Sequence, residues 1–367
     1  MIYLDHAATS PPGGELAELF RDCFSRYAFN SGASYEPGLK AREALEETRN
    51  VVAKGLCVDA GGLIFTSGGT EANNTAIHSA ASKASGKVAW LSATAHPSQR
   101  EPLRRLAEDG VLECQILPVG PGGRVDLAAA ASLSAPALVV AEWVNNELGF
   151  IQPIRELAAL AKGLNPRALV LIDGVQGFGK LPVPELGDID AFTLSGHKLG
   201  APAGIGALYV SSAMPKRPLL SGGGQEGGWR SGTLPVPLIR CFHCAYERSK
   251  ASVAPALREI ASRAELRPLL KEEGEVSPCI LTLDTSPVEG EVLMHRLEGE
   301  GVIVGLGSAC SAASRKPSAV HAAAGIGAQR SRCSVRLSVA PGQAESEVIE
   351  AVGKIAQCLE ELRRFFK

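Results

Sequence analysis

Leu169-Val170-Leu171-Ile172-Asp173-Gly174-Val175-Gln176 is the stretch that decides the fold. Four apolar residues run without alternation into an aspartate. That is the pattern of a short strand buried on both faces, as in a parallel sheet. Outward from it, similar runs stand at 63–66, 88–91, 112–117, 137–141, 191–194 and 206–210. Helical stretches lie between several of them, such as 154–162. Strands interleaved with helices predict an α/β fold: a mostly parallel seven-stranded sheet flanked by helices, plus a smaller α+β domain. The large domain is expected over 14–249, with 1–13 and 250–367 in the small one. A short strand is read at Ile2–Asp5, helices at about 37–56 and 235–250, and the latter as a bridge between the domains. Val348, Val352, Ile355, Leu359, Leu362 and Phe366 step by four and three along one face of a last helix.

The chain has 367 residues, enough for about two domains and a sizeable core. Lys+Arg is 37 against 39 Asp+Glu, a formal net charge of −2. Such a chain has no global attraction to nucleic acid or anionic membrane. No apolar run approaches the roughly 18 residues that cross a bilayer. The opening Met-Ile-Tyr-Leu-Asp-His has no basic then apolar leader, so a cytoplasmic location is expected. Nine cysteines at this length are expected to be reduced thiols rather than a disulfide framework.

Three strand ends carry chemistry. Thr66-Ser67-Gly68-Gly69-Thr70-Glu71-Ala72-Asn73-Asn74 joins a strand to a helix through glycines. Free N–H groups at a helix start attract phosphate, and Gly69 and Thr70 are the candidate contacts. An ordinary turn capped by Thr70 has the same composition. Asp173 at a strand's carboxyl end can hold a protonated ring nitrogen, or cap the next helix. Ser195-Gly196-His197-Lys198 ends another strand with a lysine able to form a Schiff base. Together, a phosphate loop, a carboxylate and a lysine are what pyridoxal phosphate requires.

The cysteines divide by context. Gly305-Leu306-Gly307-Ser308-Ala309-Cys310-Ser311-Ala312 is nearly all small residues, suited to presenting a thiol or to close packing. Cys241-Phe242-His243-Cys244 reads as helix packing, with no second CxxC to complete a zinc site. Cys23, Cys57, Cys114, Cys279, Cys333 and Cys358 are expected in the core. Gly222–Gly227 fits GxGxxG without the required strand and helix. Gly174–Lys180 fits GxxxxGK, but Leu181 stands where Ser or Thr is needed. No catalytic metal is expected.

Taken in order, these segments resemble the class I cysteine desulfurases, fold-type I pyridoxal-phosphate enzymes of the aminotransferase class V group. Further markers are Tyr3-Leu4-Asp5 with Ala7-Ala8-Thr9, Ala95-His96-Pro97, Asn145-Asn146-Glu147-Leu148-Gly149, Gly223 to Thr233, and Ser334-Val335-Arg336-Leu337-Ser338. The resemblance implies Lys198 as the Schiff-base lysine, His96 stacked on the ring and relaying protons, Asp173 at the ring nitrogen and Gln176 at the ring hydroxyl. Gly69, Thr70, Ser195 and His197 would hold the phosphate. Asn146 would contact the cofactor and, with Arg336, the substrate carboxylate. Thr233 matches a residue supplied by a second subunit, implying a homodimer. Cys310 matches the cysteine that takes sulfur from L-cysteine as a persulfide, leaving alanine. Its sulfur would pass to an acceptor protein, for iron–sulfur cluster assembly or another thiolation pathway. A selenocysteine lyase or aminotransferase of the same fold, or a pyridoxal-phosphate-binding scaffold without turnover, are the alternatives. The chain departs from the family's usual pattern at Ala203, Gly227 and Asn30-Ser31-Gly32, and is short over 250–290.

Overall fold

The computed structural model describes residues 1–120, 122–270, 274–307 and 318–366. Its eleven strands among those residues are β1 (Ile2–Leu4), β2 (Leu63–Thr66), β3 (Val88–Ser92), β4 (Glu113–Leu117), β5 (Leu138–Glu142), β6 (Leu169–Asp173), β7 (Ala191–Ser195), β8 (Gly206–Val210), β9 (Ile280–Asp284), β10 (Val302–Val304) and β11 (Ser334–Ser338). Seven of them form one sheet in the order β2-β8-β7-β6-β5-β3-β4. Every pairing from β7 to β4 is parallel, and β8 alone runs antiparallel to its neighbours. β2 therefore points the same way as β7, and its carboxyl end joins theirs.

The central strands are buried on both faces, which is why they carry no polar alternation. Val139, Ala141, Val170, Ile172, Phe192 and Leu194 face one core, shared with helices Ile154–Leu164 and Val236–Lys250. Leu138, Val140, Leu169, Leu171 and Ala191 face the other, covered by helices Gly69–Ala81 and Pro97–Glu108. This is the period-2 side-chain geometry of a strand applied to two layers of helix.

The chain's two ends meet beyond this sheet. β1 pairs in parallel with β10, and β9 pairs antiparallel with β11. Isolated bridges at Asp5–Ser338 and Gly305–Arg336 tie the two pairs together. Helix Glu345–Arg363 buries Val348, Val352, Ile355 and Leu359 as the stripe predicts. Phe366 is a correction: the helix tightens to a 3₁₀ turn after Arg363, the phase of the stripe is lost, and Phe366 is exposed.

Cys57 is a second correction, since it is exposed. It ends helix Glu36–Leu56 with a left-handed φ of 56°, which turns the residue out of the helical phase. Cys114, on outer strand β4, is half-buried rather than core. Cys241 is buried in the helix packing that the sequence suggests.

One buried ion pair fastens helix Glu36–Leu56 to β2 and to the glycine-rich segment. Glu226 takes Arg49 Nη2 at 2.8 Å and Nη1 at 2.9 Å, and accepts the Phe65 N–H at 2.6 Å. Its side chain is 1% exposed. Removing the cation strands a buried carboxylate. Arg49→Ala is expected to cost about 3–5 kcal/mol of stability, read as a lower urea midpoint, and an unchanged midpoint would contradict this role for the pair.

Candidate active site

The carboxyl ends of β2, β7, β6 and β5 open on one cavity of about 260 Å³. Strand ends are where open α/β sheets place ligands. From β2, the chain passes Gly68, whose φ of 154° is open to glycine, into the helix that begins at Gly69. The residue before this helix is Gly68, not Thr70, so Thr70 is not its cap; its place is in the first turn, where it lines the cavity. Ser195 and His197 line the same corner from the end of β7. Uncapped N–H groups, two hydroxyls and an imidazole make an anion cup.

Lys198 follows in a short 3₁₀ turn. Its Nζ donates to the carbonyl oxygens of Ala7, at 2.8 Å, and Ala8, at 2.6 Å. Burial lowers its pKa to about 7, and the nearby cations Lys180 and Arg336 push the same way, against Asp173 and Asp5. A substantial share of the amine is therefore neutral and nucleophilic near neutral pH. His197 is brought down to about 4, by burial first and then by Lys198 and Lys180. At pH 7 it is a neutral donor–acceptor, with Nδ1 3.2 Å from Thr9 Oγ1.

Asp173 closes β6 with both oxygens engaged. Oδ1 accepts the Val175 N–H at 2.9 Å, and Oδ2 accepts Asn73 Nδ2 at 2.8 Å. Asn73 also donates to Ser98 Oγ at 2.9 Å and accepts from Thr193 Oγ1 at 3.0 Å. Ser98 in turn meets His96: its N–H donates to Nδ1 at 3.1 Å, and its hydroxyl lies 2.8 Å from that atom. A backbone donor on Nδ1 makes that nitrogen the acceptor and leaves the ring proton on Nε2. Burial holds the His96 pKa below the usual value, with Asp173 opposing. Gln176 lines the cavity, gives one amide hydrogen to Ala7 O at 2.9 Å, and accepts from Lys180 Nζ at 3.3 Å.

Gly69, Thr70, His96, Asn146, Asp173, Gln176, Ser195, His197 and Lys198 thus meet in one cavity. Two expected residues do not. Thr233 is exposed on the loop after Arg230, away from this chain's cavity. Arg336 is buried behind it: Nη2 pairs with Asp5 Oδ1 at 2.5 Å, while Nη1 donates to Asn146 O at 2.9 Å and Gly307 O at 2.7 Å. Among the described residues its Nε has no partner. Cys310 lies outside the described residues, three positions beyond Gly307.

The sequence reading missed Asn73, Lys180 and Glu142. Asn73 lies one helical turn into the Thr66–Asn74 segment, a spacing that turns it back toward the sheet. Lys180 ends the GxxxxGK match that Leu181 breaks, yet its amine is buried beside Gln176. Glu142, a carboxylate ending an all-apolar strand, carried the same signal as Asp173. Among the described residues no group of three or more His, Cys, Asp or Glu is arranged to hold a metal, and no helix is long and apolar enough to cross a membrane.

Fold and site together define an α/β protein with a lysine, a carboxylate and an anion cup at strand ends. The chain belongs to the aminotransferase class-V family, whose model matches residues 2–350. It is 34% identical to a protein named cysteine desulfurase IscS from Rickettsia rickettsii, over 99% of this chain and 92% of that one. A solved NifS-like protein superposes with a TM-score of 0.86 at 26% identity, covering 98% and 99% of the two chains. A structure described as SspA in complex with cysteine gives 0.80 at 28% identity, over 94% of this chain and all of that one.

The electrostatics yield a test. Lys180 is one of the charges that depress Lys198. In the cofactor-free protein, Lys180→Met is expected to raise the Lys198 pKa above about 7. The pH dependence of Lys198 reductive methylation, followed by peptide mass, reads it; an unmoved or lowered midpoint contradicts it.

Proposed function

We propose that this chain is a pyridoxal-phosphate-dependent cysteine desulfurase that takes sulfur from L-cysteine onto Cys310 and leaves L-alanine. The observation that carries the reading is the single cavity in which a lysine with a pKa of about 7 faces Asp173, His96 and a helix-start anion cup. The family is one of pyridoxal-phosphate enzymes, and the Rickettsia relative and the cysteine complex quoted above support the same substrate.

The residues fit the cofactor. Gly69, Thr70, Ser195 and His197 would hold its phosphate, and Asp173 its ring nitrogen. Gln176 has a second amide hydrogen for the ring hydroxyl, and His96 would lie over the ring. When bound, the cofactor supplies an electron sink for the substrate's α-carbon.

This chain's residues do the rest. The Lys198 amine is the residue that would hold the cofactor covalently, and as a free amine it would be a base for the α-proton. His96, with its proton on Nε2, is the second group able to move that proton. Asn146 and Arg336 are the candidates for the substrate carboxylate. Arg336 Nε has no partner among the described residues, and reaching the cavity requires it to loosen its hold on Gly307 or Asn146. The Cys310 thiolate attacks the substrate sulfur. The Cβ–S bond breaks, the S–S bond forms, and the electron pair returns to the substrate carbon, which is protonated to alanine. A thiol reductant or an acceptor protein then takes the terminal sulfur. Thr233, exposed here, is suited to completing a second copy's phosphate cup. A homodimer and a cytoplasmic location follow the same reading.

The test is release of sulfide and alanine from L-cysteine in the presence of a thiol reductant. Equal amounts are expected from the parent, with a fall of more than about a hundredfold in Cys310→Ala. Undiminished turnover in that variant, or alanine without sulfide, would contradict the persulfide route.

A further inference from the structure

Glu142 is the buried titratable group in the cavity that the reaction above leaves without a task. It ends β5 in register with Asp173 at the end of β6, and it is 5% exposed. The two carboxyl groups are held differently. Both Asp173 oxygens accept hydrogen bonds. On Glu142 one oxygen, Oε1, takes both the Thr94 hydroxyl and Gln152 Nε2, the latter at 3.3 Å. The other, Oε2, is buried with no hydrogen-bond partner among the described residues. A buried polar atom left unpaired costs free energy, so such an atom in a ligand cavity is usually completed by the ligand.

We propose that Glu142 is a cofactor-positioning residue, whose unpartnered Oε2 is completed by the edge of the bound pyridoxal ring remote from the phosphate cup. This rests on the pyridoxal-phosphate reading above. The placement follows from strand order. The phosphate cup sits at β2 and β7, Asp173 at β6, and Glu142 one strand further on at β5. A ring held at both the cup and Asp173 turns its far edge to Glu142. That edge carries the phenolic oxygen, which has room for a second donor beside the Gln176 amide.

Glu142 is built to be a donor there. Burial raises its pKa, outweighing the Thr94 hydroxyl, its own backbone N–H, the Ser92 hydroxyl and Gln152, which lower it, and so favours the neutral acid. In that state Oε1 is a carbonyl accepting from Thr94 and Gln152, and Oε2 carries a proton that no described residue accepts. The charged and titratable groups around the cavity are Asp173 on β6, Lys198 after β7, His96 and His197. The geometry therefore sets two carboxyl groups to different work, one at the ring nitrogen and one as a neutral donor. Donation to the phenolic oxygen stabilises its negative charge. That charge otherwise holds the proton on the lysine–cofactor nitrogen, so the donor lowers the pH at which the proton leaves.

The test compares the parent, Glu142→Gln and Glu142→Leu as purified with cofactor. The absorbance of the bound cofactor is titrated against pH, and cofactor dissociation is measured at equilibrium. Glu142→Leu is expected to move the spectral midpoint to higher pH by about one unit and weaken cofactor binding roughly tenfold. Glu142→Gln keeps a donor and is expected to stay within about threefold of the parent in both. The infrared carbonyl band of an un-ionised carboxylic acid at neutral pH should be present in the cofactor-free parent and lost in Glu142→Gln, which needs no Leu variant. An unshifted midpoint in Glu142→Leu, with only the unfolding temperature of the cofactor-free protein lowered, would overturn the proposal in favour of a purely structural role. Equal shifts in both variants, or no such infrared band, would overturn the neutral donor. A parent that binds no pyridoxal phosphate would instead overturn the cofactor reading, and this assignment with it.

Discussion

The site depends on where the short segment Asp5–Ser10 is held. Two of its carbonyl oxygens, on Ala7 and Ala8, fix the Lys198 amine, and Ala7 O also takes Gln176. The segment is itself clamped from both sides: Ser338 Oγ accepts the Ala7 N–H at 2.8 Å, and the Ser10 N–H donates to His197 O at 2.8 Å. Two residues from the first ten of the chain thus set the position of a lysine nearly two hundred residues on. β1, paired with β10, brings the segment there.

That clamp also sets the charge balance. Asp5 holds Arg336, and Arg336 holds the carbonyl of Gly307. Lys180 sits buried beside Gln176. A lysine desolvated among two other cations gives up its proton far more readily than one in water. The same fields keep His197 neutral, so the anion cup binds through hydrogen bonds and helix-start amides as much as through charge. Asn73 joins the two halves of the chemistry, with one amide nitrogen touching both Asp173 and the serine that orients His96.

Much of this was legible in the chain. The seven strand runs announce themselves because strands covered on both faces can spare no polar residue until their ends. The residues that break the pattern, Asp173 and Ser195, are then the ones that line the cavity. Glu142 breaks it in the same way, but a single carboxylate suggests nothing without its neighbour in register. Asn73 and Lys180 act through contacts about 100 residues distant or through burial of one atom, which local spacing does not encode. Arg336 shows the opposite limit. Its motif is plain in sequence, but its pairing with Asp5 depends on the chain ends meeting. Cys57 and Phe366 escape a periodic reading because a helix end changes phase within one residue.

In the proposed function the Lys198 amine is the point of covalent attachment around which the cavity is arranged. Borohydride reduction of the purified protein with its bound cofactor, followed by peptide mass mapping, tests it most directly. The account predicts one pyridoxyl group per chain, on Lys198. A label on Lys180, the other buried amine nearby, or no stable label at all, would contradict it.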